Sequence, residues 1–331
     1  MKITTPPTTP ARVLLERCFE EALKKENPAS DFVRTAETQR TSYTNSSLDP
    51  RWLKRVPFVI EQKLFISTRD GQSTTELIIT RPPDTENTIL PVIVYLHGGG
   101  WVGGDSATHR RPRTELAIAA HAAVVFVNYS RSPEHKYPIA LEECYDTVTW
   151  MGNEANAHLI HVDPATLVVI GDSAGGNLTA GVTLLAKQRD FNGICAQVLI
   201  YPVTDCNFSN SSYNKYGGGE YDPSRELMEW FFDQYVPDES KRQEITVSPL
   251  KASIENLRGL PPALVLTCEA DALLDEGEAY AKKLLAAGVK VIAIRLLGTA
   301  HGFLDMSYYD SSAAQAGIDQ IVSMLHRIWK N

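Results

Sequence analysis

The chain has 331 residues, 43% of them hydrophobic and 22% charged, which is enough for one large α/β domain with an insertion or for two small domains. Its formal net charge of -8 argues against nucleic acid as a partner, because phosphate binding needs a basic surface. No apolar run approaches the roughly 20 residues of a membrane span.

The start, Met1 to Ala11, is rich in Thr and Pro and leads into no signal-peptide core. The five cysteines (Cys18, Cys144, Cys195, Cys206 and Cys268) are scattered and form no Cys-x-x-Cys. They read as mostly buried free thiols of a reducing, cytoplasmic protein. From Arg12 to Lys25, apolar residues at Val13, Leu14, Leu15, Cys18, Phe19, Ala22 and Leu23 make one face of an amphipathic helix. Residues 1–56 carry no sheet signal, and we read them as the N-terminal part of a cap. The other reading of that helix is packing on the side of the domain.

Strands begin next. Gln62 to Thr68 and Thr75 to Thr80 flank Asp70-Gly71, a hairpin signal. Pro91 to Leu96 and Ala122 to Val127 are continuous apolar runs, as expected of strands buried on both faces. Pro138 suits the first position of a helix running through Met151. Leu167 to Ile170, Ala196 to Tyr201, Ala263 to Cys268 and Val289 to Leu296 continue the sheet, and Ala313 to Trp329 is a closing amphipathic helix. Strands alternating with helices predict a mostly parallel, doubly wound sheet with the hairpin as an antiparallel edge. The alternation stops between 202 and 260. A helix there carries Leu227, Met228, Trp230, Phe231 and Tyr235, and we read this stretch as the second part of the cap, set where open α/β sheets bind ligands.

The chemistry centres on Gly171-Asp172-Ser173-Ala174-Gly175, which follows a strand pattern and precedes a helical one. This is the Gly-x-Ser-x-Gly elbow, which lifts a serine hydroxyl above the sheet at a helix N-terminus. A serine needs a base, and the base an orienting acid. His301 follows the last strand, and Asp271 follows the strand Ala263 to Cys268, so the order is Ser, Asp, His. Asp275 is the rival acid, with helix capping as its structural role, and Glu269 is a weaker candidate at the strand end. His97-Gly98-Gly99-Gly100-Trp101 follows a buried strand. Its glycines free the backbone to point amides at an oxyanion, with the Ala174 amide joining them. His97 reads as a loop holder. The same loop could cradle phosphate, but no Gly-Lys-Ser/Thr follows. His158 and His161 are three apart without a third ligand, so no metal site is expected. Asn128-Tyr129-Ser130 and Asn177-Leu178-Thr179 read as chance glycosylation triplets.

These residues together resemble the hormone-sensitive-lipase-like esterases of the α/β-hydrolase superfamily, in the subgroup with Gly-Asp-Ser-Ala-Gly at the elbow. The resemblance runs from about Ile93 to Phe303. It includes Tyr129, Pro133-Glu134-His135, Tyr137-Pro138, Ser248-Pro249-Leu250 and the Asp271 to Gly277 run. It implies an α/β-hydrolase fold with an eight-stranded, mostly parallel sheet and a helical cap, with the catalytic domain at 57–331 and 202–260 contributing to the cap. It also implies Ser173 as nucleophile, Asp271 and His301 as its partners, and Gly98, Gly99, Gly100 and Ala174 around the oxyanion. Arg131 and its neighbouring serines depart from the family's Tyr-Arg-Leu-Ala-Pro-Glu, and Ala272 replaces the usual Pro after the acid.

The reading is a serine carboxylesterase for short- to medium-chain esters, needing no metal or organic cofactor. A deacetylase or acyltransferase of the same chemistry is the alternative. A non-catalytic small-molecule receptor on the same fold is the other, although such receptors lose the catalytic histidine and His301 is present. The family often dimerises through the last strand, here 289–296, whose edge would expose unpaired backbone groups.

Overall fold

The computed structural model describes residues 13–23, 34–47, 53–304, 308 and 310–330. Met1 to Ala11 and the expected helix ends at Arg12, Lys24 and Lys25 lie outside the described residues. Eight strands, β1 (Ile60–Ser67), β2 (Thr74–Arg81), β3 (Leu90–Leu96), β4 (Ala123–Asn128), β5 (Val162–Asp172), β6 (Ala196–Ile200), β7 (Ala263–Ala270) and β8 (Val291–Ala300), form one sheet. Its order is β1-β2-β4-β3-β5-β6-β7-β8. β2 is antiparallel to both β1 and β4, and every other neighbouring pair is parallel. Gly71 turns the β1–β2 hairpin at φ 68°, a conformation a Cβ disfavours.

The helices in chain order are α1 (Arg17–Leu23), α2 (Ala36–Ser47), α3 (Arg110–Ala120), α4 (Ile139–Met151), α5 (Glu154–Leu159), α6 (Ala174–Gln188), α7 (Ser211–Tyr216), α8 (Arg225–Tyr235), α9 (Ile254–Leu257), α10 (Leu274–Ala286) and α11 (Ser312–Trp329). The central stretches 92–96 of β3 and 167–170 of β5 are apolar because both faces are covered. Val92, Val94 and Leu96 of β3 pack with Cys144 and Val148 of α4 and Leu178 and Val182 of α6. Ile93 and Tyr95 of the same strand pack with Leu116 of α3 and Ile318 and Ile321 of α11. Each fully buried Val, Leu or Ile contributes about 1.5–3 kcal/mol, so the two layers fix β3 and β5 firmly at the middle of the sheet.

Several boundaries differ from the sequence reading. β5 begins at Val162 rather than Leu167, because Leu90 and Pro91 pair with Val162 and Asp163 before a register shift. β8 runs from Val291 to Ala300 rather than from Val289 to Leu296, and Ala270 and Ala300 pair beyond a second shift. α4 begins at Ile139, with Pro138 in the cap position. Between 202 and 260 the chain is a chain of capped short helices. Asn210 caps α7, Ser224 caps α8, and Ser253 caps α9 through a capping box, each side chain accepting from an otherwise unpaired first-turn amide.

Candidate active site

Ser173 sits between β5 and α6 with φ 54° and ψ −118°, a strained conformation for a residue with a Cβ. The surroundings hold it there. Its amide donates to the Ile200 carbonyl (2.8 Å), and its carbonyl accepts from Asn177 N (3.0 Å) and Val203 N (3.2 Å). The flanking glycines allow the turn: a Cβ on Gly171 would strike the Gly175 backbone, and one on Gly175 would strike Leu96.

The partners arrive through strand register. Since Ala270 and Ala300 are paired, the next residues, Asp271 and His301, emerge side by side. Asp271 is 1% exposed. One of its oxygens accepts from Leu273 N (2.9 Å), and the other lies 2.8 Å from His301 Nδ1. A carboxylate only accepts, so Nδ1 carries the proton and Nε2 is left to accept from Ser173 Oγ, 2.9 Å away. Tyr201, at the end of β6, packs its ring 4.5 Å from the imidazole and 5.0 Å from Phe303. A hydroxyl, an imidazole and a buried carboxylate in this chain can generate a nucleophile for acyl transfer.

The glycine loop after β3 lies alongside. Gly98 does not offer its amide to the site: it donates to Asp172 Oδ1 (3.1 Å), which also accepts from Tyr95 Oη (2.8 Å). This departs from the sequence reading, and leaves Gly99 and Gly100, at φ 107° and 62°, and Ala174, first residue of α6. Among the described residues the Gly99 and Gly100 amides donate to no protein acceptor. Ala174 carries one of the unpaired amides of a helix start. Asp172 is the residue sequence reasoning missed, although it stands inside the elbow motif. Burial opposes its ionisation, but His109 and its hydrogen bonds outweigh that and hold the carboxyl below its usual range.

His97 is a loop holder. Its Nδ1–H donates to the Gly98 carbonyl (2.8 Å), and its ring stacks on Tyr129 at 4.0 Å. Burial, with His109 nearby, holds its pKa down to about 3, so it is neutral. Tyr129 Oη donates to the His97 carbonyl (2.7 Å).

Two further elements roof the loop. Trp101 stacks on Tyr235 of α8 (4.5 Å, 10°) and meets Phe232 edge-on. The Phe231 ring lies against Gly100 so closely that a Cβ there would overlap it. From the other side, Tyr43 of α2 lies against Gly103. Arg40 of α2 donates to the Val102 carbonyl (2.8 Å) and the Ser132 carbonyl (3.0 Å) and pairs with both oxygens of Glu134. By contrast, α1 packs Phe19 on Tyr308 beside β8, with its flanking residues against Tyr216 and Tyr221.

The other candidates are placed elsewhere. Asp275 lies in the first turn of α10 rather than at its cap, and accepts from Ser212 N (2.8 Å), tying α7 to the acid loop. Glu269 accepts from Gly298 N (2.8 Å). His158 ends α5 and His161 follows it, and no group of three or more metal-type ligands occurs among the described residues. Asn177 is buried, its amide donating to the Val203 and Val247 carbonyls. No helix among the described residues is long and apolar enough to cross a membrane.

The chain is similar to known proteins in sequence and in fold. A family model described as the alpha/beta hydrolase fold matches residues 93–305. An ethyl acetate hydrolase of Pseudomonas putida is 35% identical over 266 residues, covering 80% of this chain and 81% of its own. A carboxylesterase of Mycobacterium tuberculosis is 34% identical over 264 residues, covering 78% and 81%. Among solved structures, a fungal esterase from Rhizomucor miehei superposes with a TM-score of 0.91 at 49% identity, covering 96% of this chain and 98% of that one. The chain therefore belongs to the hormone-sensitive-lipase-like esterases of the α/β-hydrolase superfamily, carboxylic ester hydrolases.

Proposed function

We propose that Ser173, His301 and Asp271 carry out ester hydrolysis through an acyl-enzyme. The observation that carries this is the unbroken hydrogen-bond chain from Ser173 Oγ through His301 to Asp271, at 2.9 and 2.8 Å. His301 Nε2 takes the Ser173 proton as Oγ attacks the ester carbonyl, and Asp271 steadies the imidazolium that forms. The carbonyl oxygen gains charge beside the Gly99, Gly100 and Ala174 amides, where fixed donors stabilise it without reorganising. The proton passes to the departing alcohol. Water then attacks the acyl-enzyme with His301 again as base, and the acid leaves.

The Gly-Asp-Ser-Ala-Gly run supports membership of the subgroup named for it. Residues up to 56 and 202–260 act as the cap, a reading supported by the contacts of α2 and α8 with the glycine loop. Five free cysteines suit a reducing cytoplasm. Among the described residues β8 pairs with β7 alone and exposes Ile292 and Leu297 (39% and 67%), which suits a homodimer across that edge.

The substrates are short- to medium-chain esters. Phe231, Phe232 and Tyr235 set bulky walls close to the glycine loop, and such walls admit what they can enclose. Each acyl methylene gains roughly 0.8 kcal/mol while it is being buried, and nothing once the pocket is full. A p-nitrophenyl ester series from about two to sixteen carbons on wild type and Ser173→Ala tests both points. Efficiency should rise to about butyrate or hexanoate and fall beyond about ten carbons, and Ser173→Ala should lose nearly all activity, an essential nucleophile being worth several orders of magnitude. A peak on palmitate would overturn the enclosed pocket, and a variant keeping more than about a tenth of the wild-type rate would overturn the nucleophile.

A further inference from the structure

We propose that the buried Asp172–His109 pair aims the oxyanion loop, so that both are positioning residues for the reaction. The inference rests on the proposed roles of Ser173 and the Gly99 and Gly100 amides. Asp172 ends β5 immediately before Ser173, and is 4% exposed. Its Oδ1 is shared by the Gly98 amide and the Tyr95 hydroxyl. A Cβ added to Gly98 would overlap the Asp172 carboxyl, so the loop lies pressed onto this side chain. The first amide of the loop is thereby pinned inward. The chain then passes through the two positive-φ glycines, and among the described residues the amides at Gly99 and Gly100 keep no protein partner. The elbow and the glycine loop are thus joined by one carboxylate, which sets the height of the donors relative to the nucleophile.

An isolated buried carboxylate so close to a developing oxyanion would oppose it. His109 answers this. It is 7% exposed, and its Nε2 lies 3.5 Å from Asp172 Oδ2. Its Nδ1 lies 2.9 Å from Thr108 Oγ1 and 3.4 Å from the Asp105 carbonyl. Nε2 therefore faces a carboxylate and directs its N–H toward it, while Nδ1 meets the Thr108 hydroxyl, which donates or accepts. The Nε2–H directed at Oδ2 offsets part of the Asp172 charge in a water-excluded site, where such interactions act strongly. Neither residue touches substrate; both act through the Gly98 peptide.

The test measures kcat and KM on p-nitrophenyl butyrate, and inhibition by an alkyl trifluoromethyl ketone. Ser173 Oγ adds to that ketone's carbonyl carbon, its proton passing to His301, and the carbonyl oxygen becomes a stable mimic of the oxyanion. Asp172→Ala should lower kcat about 10²- to 10³-fold, as for loss of an oxyanion donor, with KM within about three-fold and inhibitor affinity falling in step with kcat. Asp172→Asn keeps an oxygen for Gly98 and should recover to within about ten-fold of wild type. His109→Gln removes the imidazole that faces Oδ2 and should weaken kcat and inhibitor affinity about ten-fold, again sparing KM. Should Asp172→Ala not fold, the Asn and Gln variants decide. Wild-type kcat and inhibitor affinity in Asp172→Ala or in His109→Gln, or a loss confined to KM, would overturn the proposal. An inactive Ser173→Ala beside a fully active Asp172→Ala or His109→Gln would refute this inference alone, whereas an active Ser173→Ala would refute the proposed function beneath it.

Discussion

Asp271→Asn is the sharpest test of the proposed charge chain, because the two Asp271 oxygens are committed to different donors. One accepts from Leu273 N at 2.9 Å and the other from His301 Nδ1 at 2.8 Å. Asparagine has a single acceptor oxygen, so one donor must face an NH2 group. If the amide oxygen stays with Leu273, the NH2 donates to His301 Nδ1, and the imidazole proton moves to Nε2. That nitrogen then cannot take the Ser173 proton, and the expected loss is about 10⁴ in rate, about 5.4 kcal/mol of barrier. If the amide flips, His301 keeps its tautomer but a buried Leu273 N–H loses its acceptor, costing about 1–3 kcal/mol of stability. The flip is thus the less costly route to activity. A partial rescue would appear as a smaller kinetic loss accompanied by a lower melting temperature, within a range of about 10² to 10⁴. Asp275→Asn keeps an oxygen for Ser212 N and should leave kcat/KM within about three-fold, with a stability change on the order of 1 kcal/mol. Stopped assays of kcat/KM on p-nitrophenyl butyrate, with thermal melts of both variants, decide between them. A larger kinetic loss at Asp275 than at Asp271 would refute the assignment of the acid.

Two other outcomes follow from groups away from the triad. Glu276 is fully buried and accepts from Thr204 N and Asp205 N through one oxygen, and burial raises its pKa well above the ordinary 4.5. With the folded value raised, the neutral form is the stable one, so the stability Glu276 contributes is present below about pH 4.5 and is lost as pH rises toward the folded value. Glu276→Gln should therefore melt with wild type near pH 4 and above it at pH 8. A wild type that is the more stable protein at pH 8 would show that the two amides carry an ionised carboxylate instead. The proposed homodimer should give twice the chain mass by light scattering at micromolar concentration, and a monomer there would remove the β8 interface.

The sequence by itself determined the parts whose chemistry is local. The apolar runs at Pro91 to Leu96 and Leu167 to Ile170 can be stable only where both faces are covered, so the central parallel sheet was legible. Glycines at 171 and 175 around Ser173 announced the elbow, and the chain order of Ser173, Asp271 and His301 announced its partners. Other features rest on distances that no local pattern encodes. The pairing of Ala270 with Ala300, which sets Asp271 beside His301, depends on register shifts in β7 and β8. What each aspartate meets is likewise set by the fold: Asp271 faces His301, and Asp275 accepts from Ser212 N of α7. The commitment of the Gly98 amide to Asp172, 74 residues away, is of the same kind. A carboxylate competes for an amide only when the fold carries β3 and β5 side by side, and that is a property of the packed sheet rather than of either motif. The docking of α2 through Arg40 onto Val102, Ser132 and Glu134 is likewise tertiary, since an exposed arginine reads the same in sequence whether it faces water or three acceptors.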